Sequence, residues 1–219
     1  MASRNINDFK NTLRGGVRPN LFNVQINFPQ VIGNIDGLQT GPTSLEGLSS
    51  FLCRSAAIPA STQGLIEVPF RGRFLKIPGD RTFDAWTATF YNTKDFNLRR
   101  AFELWINAAN KTDENIGTLD FGAIGGNNSY FVDLVVQQKS KDGRGPQGSR
   151  GVLAPGTGDI LREYKLVGAW PTNVGAINLA YDSNDQIEEF DVEFQYQYMD
   201  MGAANFSVGS GELTSQSIS

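Results

Sequence analysis

The chain has 219 residues, 40% of them hydrophobic and 19% charged, with 24 Gly, 9 Pro, one Cys and no His. That length suits one domain of all-β type or two small ones, and the apolar share is enough to bury a core, which excludes global disorder. The net charge of −4 is modest, and without His there is no Ser-His-Asp or Cys-His machinery, while a lone Cys53 makes neither an internal disulfide nor a zinc cluster.

Residues 1–17 form a polar arm with Arg4, Lys10 and Arg14, in which Ile6, Phe9 and Leu13 share one short amphipathic helical face. Alone such a helix is too short to be stable in water, so the arm frays or orders on a partner. No apolar stretch follows Arg4, so no secretory leader is expected. The longest apolar runs, such as Leu134–Val136, are far too short to span a bilayer, so no membrane anchor is expected.

Residues 19–28 alternate strictly: Phe22, Val24, Ile26 and Phe28 on one side, Asn23, Gln25 and Asn27 on the other. That pattern predicts a strand with one buried and one wet face. Residues 29–50, rich in Gly, Pro and Ser/Thr, predict a long loop. Short strands follow at 51–57, 65–70 and 73–77, where Pro69 and Pro78 demote the strand ends to edges or bulges. Residues 82–91 (TFDAWTATFY) predict a strand with Trp86, Ala88 and Phe90 on one face. Residues 94–109 predict the one convincing helix, with Leu98, Ala101, Phe102, Trp105, Ile106 and Ala109 at helical spacing and Thr93 or Asp95 as N-cap.

Residues 110–128 and 139–159 predict loops around a strand at 129–138. A strand over 160–170 is stopped by Pro171. Residues 176–181 and 186–198 predict a hairpin joined at Asp182–Asp185. In its second strand Phe190, Val192, Phe194, Tyr196 and Tyr198 face Glu189, Asp191, Glu193, Gln195 and Gln197 across the pleat. At about 3.3 Å per residue that strand would run roughly 40 Å. Residues 200–219, Gly- and Ser-rich, predict a flexible tail.

No motif carries catalysis, a cofactor or a metal. Gly37-Leu38-Gln39-Thr40-Gly41 lacks the spacing and lysine of a phosphate loop, and Arg144 and Arg150 read as solvated loop residues. Asp80-Arg81 reads as an ion pair at a turn, and Asp182 and Asp185 as turn formers without the further oxygen ligands calcium needs. Charge is uneven along the chain: residues 1–110 hold 12 Lys/Arg and 8 Asp/Glu, whereas residues 171–219 hold 8 Asp/Glu and no base. A solvated acidic face is one reading; head-to-tail self-association of a basic with an acidic patch is the sharper one. The acidic and amide face of residues 189–197, bare of cations, also suits a surface past which a polyanion slides without binding.

Four stretches, RPNLFNVQINF (18–28), CRSAAIPA (53–60), GDRTFDAWTATFY (79–91) and GAWPTNVG…LAYDSNDQIEEFDVEF (168–194), resemble the tail tube proteins of contractile-tailed, T-even-type bacteriophages. The resemblance covers roughly 17–110 and 129–199 and implies a mainly β fold: two packed antiparallel sheets, as a sandwich or partial barrel, with one flanking helix over 18–199. It implies a virion structural protein, not an enzyme: homohexameric rings stacked into a tube inside the sheath, whose β-barrel lumen conducts DNA on contraction. Implied partners are further copies of itself, the tail sheath protein, the baseplate, the tail terminator, the tape measure protein and genomic DNA without sequence-specific binding. Assembly would take place in the host bacterial cytoplasm. Within that picture Gln25, Asn27, Glu193, Gln195 and Gln197 are expected to face the lumen. Arg71, Arg73, Lys76 and Arg81 are expected to meet Asp182, Asp185, Glu188 and Glu189 between subunits. A baseplate tube initiator, a related injection-machine tube and a carbohydrate-binding β-sandwich module are the alternatives.

Overall fold

Alternating side chains set the strands that dominate the fold. The computed structural model describes residues 5–13, 16–29, 32, 45–117, 119, 129–141 and 160–200. Its elements, in chain order, are α1 (Ile6–Leu13), β1 (Phe22–Ile26), α2 (Leu45–Leu52), β2 (Cys53–Ala56), β3 (Thr62–Phe70), β4 (Arg73–Thr82), β5 (Trp86–Tyr91), α3 (Asn97–Ala109), β6 (Val132–Lys139), β7 (Ile160–Val174), β8 (Glu189–Gln195) and β9 (Tyr198–Asp200). The fold is mainly β, with two antiparallel sheets. A seven-stranded sheet runs β1-β6-β7-β8-β5-β2 with β9 paired to β7, and β3-β4 form a separate two-stranded sheet. By compactness the chain divides into one unit of Val24–Val136 with Tyr164–Gly202 and another of Met1–Asn23, Gln137–Glu163 and Ala203–Ser219.

The larger unit holds an aromatic core. β5 and β8 pair so that Trp86, Ala88 and Phe90 lie opposite Phe194, Val192 and Phe190, and all six are buried. Against them α3 lays Leu98, Ala101, Phe102 and Trp105. Phe102 meets Phe90, Phe190 and Phe194 at ring separations of 5.5, 6.4 and 5.8 Å. The two buried indoles each find an acceptor, as buried Trp N–H groups must: Trp86 Nε1 donates to the Ala57 carbonyl at 2.7 Å and Trp105 Nε1 to that of Tyr130 at 3.0 Å.

Several expectations are corrected. The loop predicted over 29–50 ends in a helix, α2, which carries on through Phe51 and Leu52, so the following strand is only Cys53–Ala56. Leu45, Leu48, Ser49 and Leu52 recur at helical spacing, and Ser49, buried within the helix, donates its hydroxyl to the Glu46 carbonyl at 2.8 Å. α3 is not capped by Thr93 or Asp95. A turn closed by the Phe96 N–H on the Thr93 carbonyl at 3.0 Å leaves Phe96 at the N-cap in left-handed geometry, without a side-chain cap. Pro171 does not stop β7, which runs on to Val174. A register shift between Pro171 and Asn173 falls where proline has no N–H to give the ladder.

The hairpin predicted over 176–198 is absent. Residues 175–188 are not a strand, and β8 spans only Glu189–Gln195, paired with β5 and β7. Past Tyr196 the chain breaks register: Gln197 N–H donates to the Val167 carbonyl at 3.0 Å and β9 pairs further along β7. Tyr198 therefore leaves the apolar stripe and is 51% exposed. In the other unit the short amphipathic helix forms as α1, with none of its residues buried. It is held by reciprocal capping, the Asn5 Oδ1 accepting from Asn7 and Asp8 N–H groups and Asp8 Oδ2 accepting from Asn5 N–H. The expected loops at 33–44, 120–128 and 142–159, and the tail beyond Asp200, lie outside the described residues.

Candidate assembly surfaces

One surface of the sheet stands out, the polar face of β8. Its register sets Glu189, Asp191 and Glu193 opposite Tyr91, Thr89 and Thr87 on β5, with Asn173 beside Glu193 and Trp170 beside Gln195 on β7. Thr89 donates its hydroxyl to Asp191 Oδ1 at 2.7 Å. This face is not wholly free of cations, as β8 alone would be: Arg54, brought in on β2, forms an ion pair with Glu189. Among the described residues Asp191 and Glu193 form no ion pair, so the face keeps a negative surplus and no unpaired base.

Of the residues expected to face a lumen, Gln25 and Asn27 are exposed on the polar side of β1 and its continuation, opposite in parity to buried Val24 and Ile26. Glu193 and Gln195 are half-buried on β8. Gln197 lies beyond the strand, in the break before β9. Nearby, Lys165 on β7 pairs with Asp133 on β6 at 2.7 Å. That hydrogen bond first, against a smaller opposing effect of burial, holds the ammonium above its ordinary pKa of 10.5.

Apart from that polar face stand the β3-β4 hairpin and the acidic segment before β8. All four expected bases ride on the hairpin: Arg71 at its tip, Arg73, Lys76 and Arg81 along β4. Lys76 stands opposite Glu67, with Nζ 3.7 Å from its carboxylate. Arg71 lies over the Phe70 ring at 5.4 Å. Three of the four expected acids, Asp185, Glu188 and Glu189, border one groove, lined by most of 176–191 together with Arg54, Thr89 and Tyr91. Glu188 accepts from Asn92 Nδ2 at 2.9 Å, and Asp182 lies in the exposed turn alongside. The signal missed in the sequence is the apolar character of the hairpin. Leu65, Ile66, Val68, Phe70, Phe74, Leu75 and Ile77 are between 40 and 66% exposed. Their β-type alternation predicts strands but not this exposure.

Among the described residues no group of three or more His, Cys, Asp or Glu is placed to hold a metal, and no helix is long and apolar enough to cross a membrane. Solved structures share the fold. One is a chain of an extracellular contractile injection system, "PVC sheath/tube terminator in extended state", with TM-score 0.50 and 16% identity, covering 86% of this chain and 97% of that one. Another is the anti-feeding prophage tube-terminating cap, with TM-score 0.50 and 15% identity over 85% of this chain and 91% of that one.

The fold is thus that of the tube-associated proteins of contractile machines. The family described as "Phage tail tube protein" matches residues 17–201. Tail tube protein gp19 of Enterobacteria phage T4 is 30% identical over 83% of this chain and 89% of its own length, and gp19 of phage T6 is 31% identical over the same shares. The tail tube protein of Serratia phage KSP90 is 27% identical over 87% of this chain and 93% of its own. The chain belongs to the phage tail tube protein family: it is a virion structural protein, a subunit of a contractile phage tail tube.

Proposed function

We propose that this chain is the major tube subunit, six copies closing into a ring and rings stacking head to tail into a hollow tube through which DNA leaves the virion. One observation carries the reading: the polar face of β8 keeps carboxylates and an amide and no free base, because Arg54 is tied to Glu189. A Lys- or Arg-lined bore would neutralise phosphates and hold the DNA. In this reading Gln25, Asn27, Glu193, Gln195 and Gln197 face the lumen. The sheet path ends in β1 and β2, and closing six sheets edge to edge would leave no bare strand to aggregate.

Partners in this reading are the sheath around the tube, the baseplate and terminator at its ends, and the tape measure protein and then genomic DNA inside. Assembly takes place in the host bacterial cytoplasm, and the chain catalyses no reaction. Arg71, Arg73, Lys76 and Arg81 of one subunit meet Asp182, Asp185, Glu188 and Glu189 of another. Negative-stain microscopy of the purified protein tests the whole. Long hollow filaments support a major tube subunit; rings that never stack would make it a tube initiator; a permanent single subunit would overturn the reading in favour of a binding module.

A further inference from the structure

The first turn of α3 holds two bases, Arg99 and Arg100, and no acid. A cation there opposes the helix dipole, and an Arg four residues before a Glu is the weaker order of that pair. The remaining contacts of Arg99 point off the helix. Its side chain is 17% exposed, with Nε 2.8 Å from Glu103 Oε1, and its guanidinium stands 5.4 Å from the centre of the Phe190 ring. Its Nη1 donates to the Gly175 carbonyl at 2.9 Å.

Gly175 is where residues 176–188 leave the sheet, just past the end of β7. Its N–H donates to the Asp191 carbonyl at 2.7 Å. A Cβ at Gly175 would lie 3.1 Å from that same oxygen, so the close approach suits glycine. The other stem is held by Asn92, which follows β5. Its N–H donates to the Glu188 carbonyl at 2.8 Å and its Nδ2 to Glu188 Oε2 at 2.9 Å. Between the stems the backbone turns on itself, with Ser183 N–H on the Ala180 carbonyl at 3.2 Å and Asn184 N–H on that of Asp182 at 3.0 Å.

We propose that Arg99 and Asn92 are positioning residues: they fix the two stems of residues 176–188 and so preset the carboxylates of Asp182, Asp185 and Glu188 for contact between subunits. The inference deepens the tube-subunit reading and rests on it. A segment with fixed stems gives up less freedom when its carboxylates meet a partner, which tightens association without adding a contact.

Chymotrypsin cleavage after Tyr181, whose side chain is fully exposed, reads the segment in the unassembled subunit. Cleavage follows the population of the open form, so Arg99→Met and Asn92→Asp are each expected to speed this cut roughly tenfold. Glu103→Gln breaks the pair within α3 but leaves the bond to Gly175, and is expected to leave the cut at the wild-type rate. If Arg99 served only the helix, Glu103→Gln would act like Arg99→Met. In sedimentation, the subunit concentration at which polymer first pellets is expected to rise roughly tenfold in Arg99→Met and Asn92→Asp, and not in Glu103→Gln. Asn92→Asp lies outside α3, so the test stands even if Arg99→Met does not fold. Cutting at the wild-type rate in both variants would overturn the clamp. Faster cutting with unchanged polymerisation would overturn its role in assembly; in either case the tube reading survives. Wild-type chains that never polymerise would remove that reading and the inference with it.

Discussion

Cys53 shows how position rather than type sets the chemistry of a side chain. It opens β2 across from Phe90, and burial pushes its thiol from 9.0 up to about 12, against a smaller opposing effect of a backbone hydrogen bond with Ser55. Below pH 9 both folded and unfolded chains keep the thiol protonated, so it has no effect on stability there. Above that, the unfolded chain ionises while the folded one does not, so stability falls as pH rises from about 9 to about 12. Tyr196 moves the same way, raised by burial first and by the charge of Asp84 second. Urea titrations of the subunit and of Cys53→Ser are expected to run parallel up to pH 9 and diverge above it, the wild type losing more. Because the thiolate is the nucleophile, native Cys53 is expected to alkylate far more slowly at pH 8 than in denaturant. The lone cysteine is plain in the sequence. Its inertness is not, because burial of the side chain depends on the fold around β2, which β5 pairs with.

At the level of elements, two backbone positions make opposite predictions. Gly117 follows α3, and a Cβ there would lie 2.6 Å from the Ala109 carbonyl oxygen. Gly117→Ala is expected to cost about 1–3 kcal/mol in a denaturant titration. Arg71 and Gly72 both have positive φ, 44° and 82°, the geometry of a two-residue hairpin turn that favours Asn-Gly. Arginine there costs about 1 kcal/mol over Asn. Arg71→Asn is therefore expected to raise the melting temperature of the unassembled subunit while weakening assembly, which separates the guanidinium's work from folding. The same contrast marks what could be read in advance. β5, β8 and α3 were legible because each has one buried face, so burial and periodicity agree. The strand expected over 176–181 was not, because Ile177, Leu179 and Tyr181 alternate without a partner strand to hydrogen-bond them. α2 hid behind a Gly- and Pro-rich approach, and β7 passed Pro171 because a register shift absorbs the missing donor. The four bases lie on the β3-β4 hairpin and the acids along 182–189, as their clustering in sequence dictates; the exposure of the hairpin's apolar side chains is not legible in the sequence, since exposure is a property of what fails to pack.

For the whole molecule, charge asymmetry sets how assembly responds to solution conditions. With no His in the chain, no side chain has its ordinary titration between about pH 5 and 8. The proposed contacts between the basic hairpin and the acidic segment of another copy would nevertheless be screened by salt, the Debye length shrinking from about 10 Å at 0.1 M to about 3 Å at 1 M. Light scattering of the purified protein is expected to show assembly that is flat from about pH 6 to 8 and falls steeply with added salt; an insensitive response to salt would mean that apolar contacts alone hold the copies together. The hairpin also has a consequence for growth. In a row where every hairpin meets the acidic segment of the next copy, one end always displays unmet bases and the other unmet acids, however many copies lie between. Such a row has a direction, grows most readily where one already exists, and stays adhesive until a different protein closes it.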